Sequence, residues 1–502
     1  MDVSDNNITQ NKDLKHQVMK SIAWLAGLQY LGQIICWSIT IVVIRILNPE
    51  DYGLMAMASL CTNFLILIGE LGLGAAIIQK KELDEDKLPQ IFGFIILSHG
   101  LLFLILFFGS HLIARYFSEP RLVLILQVLS LNLVSLALYV IPRSILIRRM
   151  DFKRKSIVDL IATVVSACFI LTLVLLGKGV WSLILGSMLL HIINLIGYNL
   201  LVPNFFLPKF DFKKIKEFIS FGSYILGSRI LWYFYSRSDI LIGGRILGNQ
   251  LLGIYSVALE LSSIPLNKFM PVINQVAFPA YAHIQSDLKL VRTHFLKATR
   301  IGSLVIFPIF WGLLIIAPEL LGWLLGNKWS DVIIPLQLLC VTMPFRSLAS
   351  LIPPAVNGVG RVDMHFLYVA IASILMPLSF LIAVRCWGLI GLCLAWVFGY
   401  IVVFFIHLKL SLRLFDLSIP DFLSNILAAP FASAVMMLMV FGIKCVVPPL
   451  LPLPLMTCFF VIAGVSIYCF LIYLLKREAF YEMWSLIPGN RKIEAFFKKP
   501  LS

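Results

Sequence analysis

The sequence predicts an all-α polytopic membrane protein of about 14 transmembrane helices: two pseudo-symmetric six-helix bundles in parallel repeat, then an extra C-terminal helix pair. Three observations carry this. Hydrophobic residues make up 60% and charged residues 13% of the 502, and an ordinary soluble domain carries about twice that charge. The apolar residues gather in runs of about 20, long enough to cross a bilayer as helix. Finally, Arg45-Ile46-Leu47, Gly53 and Ala58 return as Arg245-Ile246-Leu247, Gly253 and Ala258. Each copy joins the end of one apolar run to the start of the next.

The elements follow in order. Residues 1–20 are polar and read as a cytoplasmic segment. The N-terminal bundle, 21–201, holds runs at 21–44, 53–77, 91–113, 122–147, 156–176 and 181–201. No small-residue cleavage site follows the first, so it reads as a retained helix. A cytoplasmic linker, 202–217, leads to the C-terminal bundle, 218–410, with runs at 218–247, 251–276, 301–325, 332–356, 365–384 and 388–408. Helices 13 and 14 lie within 425–475, at 425–447 and 455–475, and 476–502 is a cytoplasmic tail.

Orientation comes from the basic residues. With the N-terminus inside, most of the 41 Lys and Arg fall on the cytoplasmic side. The opposite side keeps only Arg45, Arg115, Arg121, Lys178, Arg245, Lys328, Arg385 and Lys444. The strongest marker is Arg148-Arg149-Met150-Asp151-Phe152-Lys153-Arg154-Lys155. Both termini are thus expected in the cytoplasm. The net charge of +15 reflects this bias and not a nucleic-acid partner. The nine cysteines show neither metal-ligand spacing nor a disulfide framework, so they are expected to pack as small hydrophobes, with no metal bound. Outer loops are too short to hold a catalytic centre, which argues against an enzyme.

Three amphipathic segments are predicted to lie against membrane lipids, or equally to be solvated basic loops. Tyr281, Ile284, Leu288, Val291 and Phe295 form one stripe. Phe480, Met483, Trp484 and Ile487 form another in the tail. Phe212, Ile215, Phe218 and Ile219 oppose Lys213, Lys214 and Lys216 between the bundles.

The ionisable residues inside the runs carry the functional information. Arg143, Arg229, Arg237, Lys268 and Arg346 are basic; Glu70, Asp239 and Glu260 are acidic. Each basic group costs roughly 2.5–3.5 kcal/mol to insert at the bilayer centre. They are therefore expected to face a wet cavity or one another. Arg346 and Arg237 sit roughly 15 Å from the nearer end of their helices, too deep to snorkel easily. Arg143 lies near the inner end of helix 4, where snorkelling is the stronger alternative. Arg229, Tyr233 and Arg237 fall within about 80° of arc on helix 7. Asp239 points about 200° from Arg237, so its partner must come from another helix, with Arg346 the expected one. The run Trp232-Tyr233-Phe234-Tyr235 is read as packing, with stacking on sugars as the alternative.

Basic groups outnumber acidic ones in the spans. The five form a predicted substrate-binding set for an anion, with phosphate or pyrophosphate matched to the guanidinium fork. The three carboxylates are candidates for charge balance or for coupling to H+ or Na+; no cofactor is expected. Prolines are concentrated in the second bundle (Pro265, Pro271, Pro308, Pro318, Pro335, Pro344, Pro353, Pro354 and Pro377, against Pro142 in the first). They predict either helix bending during transport or static kinks there.

At these residues the chain resembles a polysaccharide flippase of the multidrug/oligosaccharidyl-lipid/polysaccharide exporter superfamily, in the colanic-acid-exporter-like group. The stretches are Leu47-Asn48-Pro49-Glu50-Asp51-Tyr52-Gly53-Leu54-Met55-Ala56-Met57-Ala58, Leu71-Gly72-Leu73-Gly74-Ala75-Ala76-Ile77-Ile78-Gln79-Lys80 and Arg149-Met150-Asp151-Phe152-Lys153. Further matches are Ser238-Asp239-Ile240-Leu241-Ile242-Gly243, Leu252-Gly253-Ile254-Tyr255-Ser256-Val257-Ala258 and Phe278-Pro279-Ala280-Tyr281. Glu70 departs from the group, which more often has Asp there. The resemblance implies that an undecaprenyl-pyrophosphate-linked oligosaccharide is flipped across the bacterial inner membrane by alternating access around a cationic central cavity. O-antigen, capsule or exopolysaccharide assembly would follow, alongside a polymerase and chain-length machinery. A multidrug or cation antiporter of the same fold is the alternative.

Overall fold

The computed structural model describes residues 32–69, 77, 87–203, 207–211, 216–447 and 452–477. Glu70, the tail stripe and the linker residues 212–215 lie outside them. Every described transmembrane element is helical, as a chain without water partners for its backbone requires.

The first unit, Met1–Ile230, contains α1 (Gly32–Ile46), α2 (Pro49–Gly69), α3 (Leu88–Phe117), α4 (Leu122–Arg148), α5 (Phe152–Leu175) and α6 (Val180–Leu201). Its core joins α3, α4 and α6 through Ile91, Ile95, Leu136, Val140 and Tyr198. The second unit, Leu231–Ser502, begins inside a helix over Lys216–His283 that breaks at Gly248. That break yields α7 (216–247) and α8 (249–283). Then come α9 (Leu288–Leu324), α10 (Ile333–Ala349) with a short continuation over Ile352–Gly358, and a helix over Val362–Leu394. The last breaks at Trp387 and Gly388, giving α11 (362–386) and α12 (389–412). After the short helix Ile419–Ile426, α13 (Ala428–Val446) and α14 (Leu453–Leu475) pack on α9. Each of the fourteen predicted spans overlaps a helix of the described residues; 21–31 of the first and 70–76 of the second lie outside them.

Turn geometry repeats between the units more faithfully than sequence does. Ser118 (φ 57) closes α3 and Gly326 (φ 82) follows α9. Met150 (φ 54) precedes α5, as Gly360 (φ 81) precedes α11. Gly179 (φ 53, ψ −135) opens α6, and Gly388 (φ 55, ψ −133) opens α12. Three left-handed residues at matching junctions, in the same order, mark a parallel duplication.

Two expectations change. The stripe from Tyr281 to Phe295 is not one surface helix. It is cut by a turn at 284–287, where the Asp287 side chain accepts from Leu290 N (3.0 Å) and starts α9 well before residue 301. Val291 and Phe295 are fully buried, and Phe295 stacks on Phe415 (5.4 Å) and Phe422 (6.1 Å). Helix 10 is also interrupted, at Ser350–Leu351, and Arg346 falls in the last turn of its first part. The prolines of α8 and α9 leave their helices unbroken; the break over Lys216–His283 is at Gly248.

The extra pair is fastened to α9 by polar contacts. Lys444 Nζ meets Glu319 Oε2 at 2.5 Å and also donates to Ile315 O. Tyr468 Oη donates to Leu304 O at 2.7 Å.

Candidate functional site

Asp239, on α7, has no exposed surface. Its Oδ1 accepts from Ile240 N (2.7 Å) and its Oδ2 from the Tyr255 hydroxyl of α8 (2.6 Å). Tyr255 in turn accepts from Trp396 Nε1 of α12 (2.7 Å). The Arg346 guanidinium of α10 lies over the Trp396 ring, 4.1 Å from its centroid. Four helices of the second unit are thereby threaded on one polar line. The expected Asp239–Arg346 ion pair is not formed: Tyr255 and Trp396 stand in the relay between them.

Local chain geometry explains how Trp396 reaches both neighbours. It sits in the π-helical turn Ala395–Gly399 of α12, and such turns re-aim side chains within an α-helix. Gly399 permits the turn to approach α11: a Cβ there would lie 2.8 Å from Ser379 Oγ. Phe380 packs against the indole at 5.1 Å.

Arg346 is half-buried, and among the described residues its one hydrogen-bond contact is with Met343 Sδ at 3.8 Å. Among the described residues no carboxylate lies within ion-pair distance of it. A cation over a desolvated aromatic face gains about 2 kcal/mol, and a cation in the last turn of a helix gains about 1 kcal/mol from the carbonyl end. Together these match the roughly 2.5–3.5 kcal/mol insertion cost. A guanidinium held this way keeps its N–H fork for an external anion.

Tyrosines surround it. The charge of Arg346 acts on Tyr235 and Tyr400. Tyr235 and Tyr368 hydroxyls are 3.5 Å apart, and Tyr368 stacks on His407 at 3.6 Å. Nδ1 of His407 and of His365 have no hydrogen-bond partner in their buried sites.

The other predicted residues are placed as follows. Arg237 is exposed on α7, and its charge acts on the carboxyls of Asp239 and of Glu260, which is exposed on α8. Arg229 and Lys268 are exposed on α7 and α8. Arg143, half-buried on α4, belongs to a separate cluster in the first unit. There Tyr139 Oη meets His191 Nδ1 at 2.9 Å, and Tyr198 Oη donates to Asp159 Oδ1 at 2.5 Å. Lys155 Nζ holds the other Asp159 oxygen at 2.6 Å. The charge of Arg143 acts on His191 and Tyr198. Sequence reasoning missed Tyr255 and Trp396; their one signal was a polar aromatic within an otherwise aliphatic run. No group of three metal-ligating side chains occurs among the described residues.

Residues 42–334 match the family described as polysaccharide biosynthesis protein. The chain belongs to that family. Teichuronic acid biosynthesis protein TuaB of Bacillus subtilis is 26% identical over 387 residues, 76% of this chain and 80% of that one. Lipopolysaccharide biosynthesis protein WzxC of Escherichia coli is 26% identical, over 74% and 75% of the two chains. Succinoglycan biosynthesis transport protein ExoT of Rhizobium meliloti is 26% identical, over 70% and 73%. Among solved structures, the inward closed conformation of lipid II flippase MurJ superposes with a TM-score of 0.72 at 15% identity, over 91% of this chain and 99% of that one. This family member therefore shares that all-helical membrane fold.

Proposed function

We propose that the protein flips an undecaprenyl-pyrophosphate-linked oligosaccharide from the inner to the outer leaflet of the bacterial inner membrane, for assembly of a surface polysaccharide. Family membership and relatives named for polysaccharide biosynthesis and transport support the substrate class. The observation that carries the anion site is Arg346, a guanidinium seated on Trp396 with no carboxylate within ion-pair distance among the described residues. A pyrophosphate offers it paired oxygens in the geometry of the fork, and charge-assisted bonds are about twice as strong as neutral ones. Exposed Arg237 supplies a second positive charge, while the lipid tail stays in the bilayer. Transport of this kind needs no catalytic group, so the protein works as a transporter and not as an enzyme. A polymerase and chain-length machinery would receive the product. Both oxygens of Asp239 are already occupied as acceptors, which leaves exposed Glu260 as the better-placed carboxylate for ion coupling.

The test is complementation of a deletion strain. Arg346→Ala and Arg237→Ala should each abolish surface polysaccharide while membrane protein level stays normal. Arg346→Lys should lower it at least about tenfold, because an ammonium lacks the fork. Normal polysaccharide in both alanine variants would refute the site.

A further inference from the structure

We infer that Asp239 and Tyr255 are positioning residues that act through Trp396 to hold Arg346 ready for the pyrophosphate. This rests on the anion site proposed above and extends it to groups that never touch substrate.

The argument is one of hydrogen-bond direction. An indole N–H can only donate, so the Tyr255 oxygen must accept from Trp396 Nε1. The single phenolic hydrogen is then committed to Asp239 Oδ2. An ionised Asp239 can only accept, and Ile240 N occupies its other oxygen. With Asp239 ionised, every bond in the line has one permitted polarity, and no other side-chain partner for its members occurs among the described residues. Asp239 and Tyr255 are fully buried and Trp396 is 1% exposed. Water therefore cannot replace a lost bond, and an orphaned group is costly to leave.

The line ends on a ring face, not on a charge. The charges of Arg237 and Arg346 both act on the Asp239 carboxyl. Yet a direct Asp239–Arg346 pair would have quenched the cation. Interposing a phenol and an indole fixes the angle of the platform beneath Arg346 while leaving the guanidinium edge open. The π-helical turn is what brings Trp396 into both contacts at once. Removing the tyrosine hydroxyl frees the indole to tilt, and Arg346 loses a fixed seat even though its own charge is intact.

A double-mutant cycle on the purified full-length protein, with undecaprenyl pyrophosphate as the probe and affinity as the readout, decides the matter. Tyr255→Phe should weaken binding about tenfold, and Arg346→Ala by more. The double variant should bind no worse than Arg346→Ala alone, since the tyrosine acts through the arginine. A structural role without positioning predicts instead that the two losses add. Full additivity, or wild-type affinity in Tyr255→Phe, overturns the inference while leaving the anion site standing. Unchanged affinity in Arg346→Ala overturns both. If Tyr255→Phe does not fold, Trp396→Phe carries the same cycle: it keeps an aromatic platform but deletes the N–H, and the same two outcomes apply.

Discussion

The first and second units carry the same turns but handle charge differently. In the first, the turn before α6 is latched: Asp51 Oδ1 accepts from Val180 N (3.0 Å) and its Oδ2 from Asn48 N (3.1 Å). A Cβ on Gly179 would stand 3.2 Å from that carboxylate. In the second, the matching turn at Gly388 has nothing within 4 Å of a Cβ, and the residue at the place of Asp51 in the repeat is Leu251. The contrast recurs deeper. Asp159 and Tyr368 each lie the same distance before those glycines, and Tyr198 and His407 the same distance after. In the first unit the pair is an acid bonded to a phenol; in the second it is a phenol stacked on an imidazole. The duplicated scaffold kept its helices while the second copy has no acid at either position. The proposed anion site thus lies in the copy that lacks both acids.

The comparison can be tested by where the copies break. The largest effect is expected at Gly179→Ala, which combines backbone strain with displacement of the Asp51 latch and should cost roughly 2–4 kcal/mol. Gly388→Ala, with strain alone, should cost about 1–3 kcal/mol. Thermal unfolding of both in the same detergent checks this; equal losses would remove the latch from the account. Next, Asp159→Ala leaves the buried Tyr198 hydroxyl unpaired and should destabilise by about 1–3 kcal/mol. Flipping by Asp159→Ala should stay within a few-fold of wild type, whereas Arg346→Ala abolishes it. The smallest effect concerns acid. In the loop between α3 and α4, the Arg121 hydrogen bond and charge hold the Glu119 carboxyl below its ordinary value. A lowered folded pKa means the stabilisation is present above pH about 4.5 and is lost as pH falls through the depressed value. For a pair this exposed it amounts to less than about 1 kcal/mol. A shallow acid-side loss of melting temperature that disappears in Arg121→Gln is the expected result.

Hydropathy made the fourteen spans and their tandem arrangement legible, because each span is a local property of about 20 consecutive residues. It did less well where helices run on past the membrane. α9 begins at Leu288 because Asp287 caps it there, and a periodic stripe does not show that a turn cuts it. Eight charges inside apolar runs were also readable from sequence, since a charged residue in such a run stands out. Their partners were not. Asp239 was rightly placed away from Arg237 on its own helix, yet the expected Arg346 pair proved to be a line through Tyr255 and Trp396.

What the sequence by itself determined is the number, order and duplication of the helices, and the rule that buried charge must be answered by something. Helix periodicity sets the angle at which a side chain leaves its own axis. It carries no information on the offset and rotation of the neighbouring helix, which depend on packing of whole faces. Only the tertiary structure, with a π-helical turn at Ala395–Gly399 and a glycine at 399 close against α11, decided that an indole would be the group meeting Arg346.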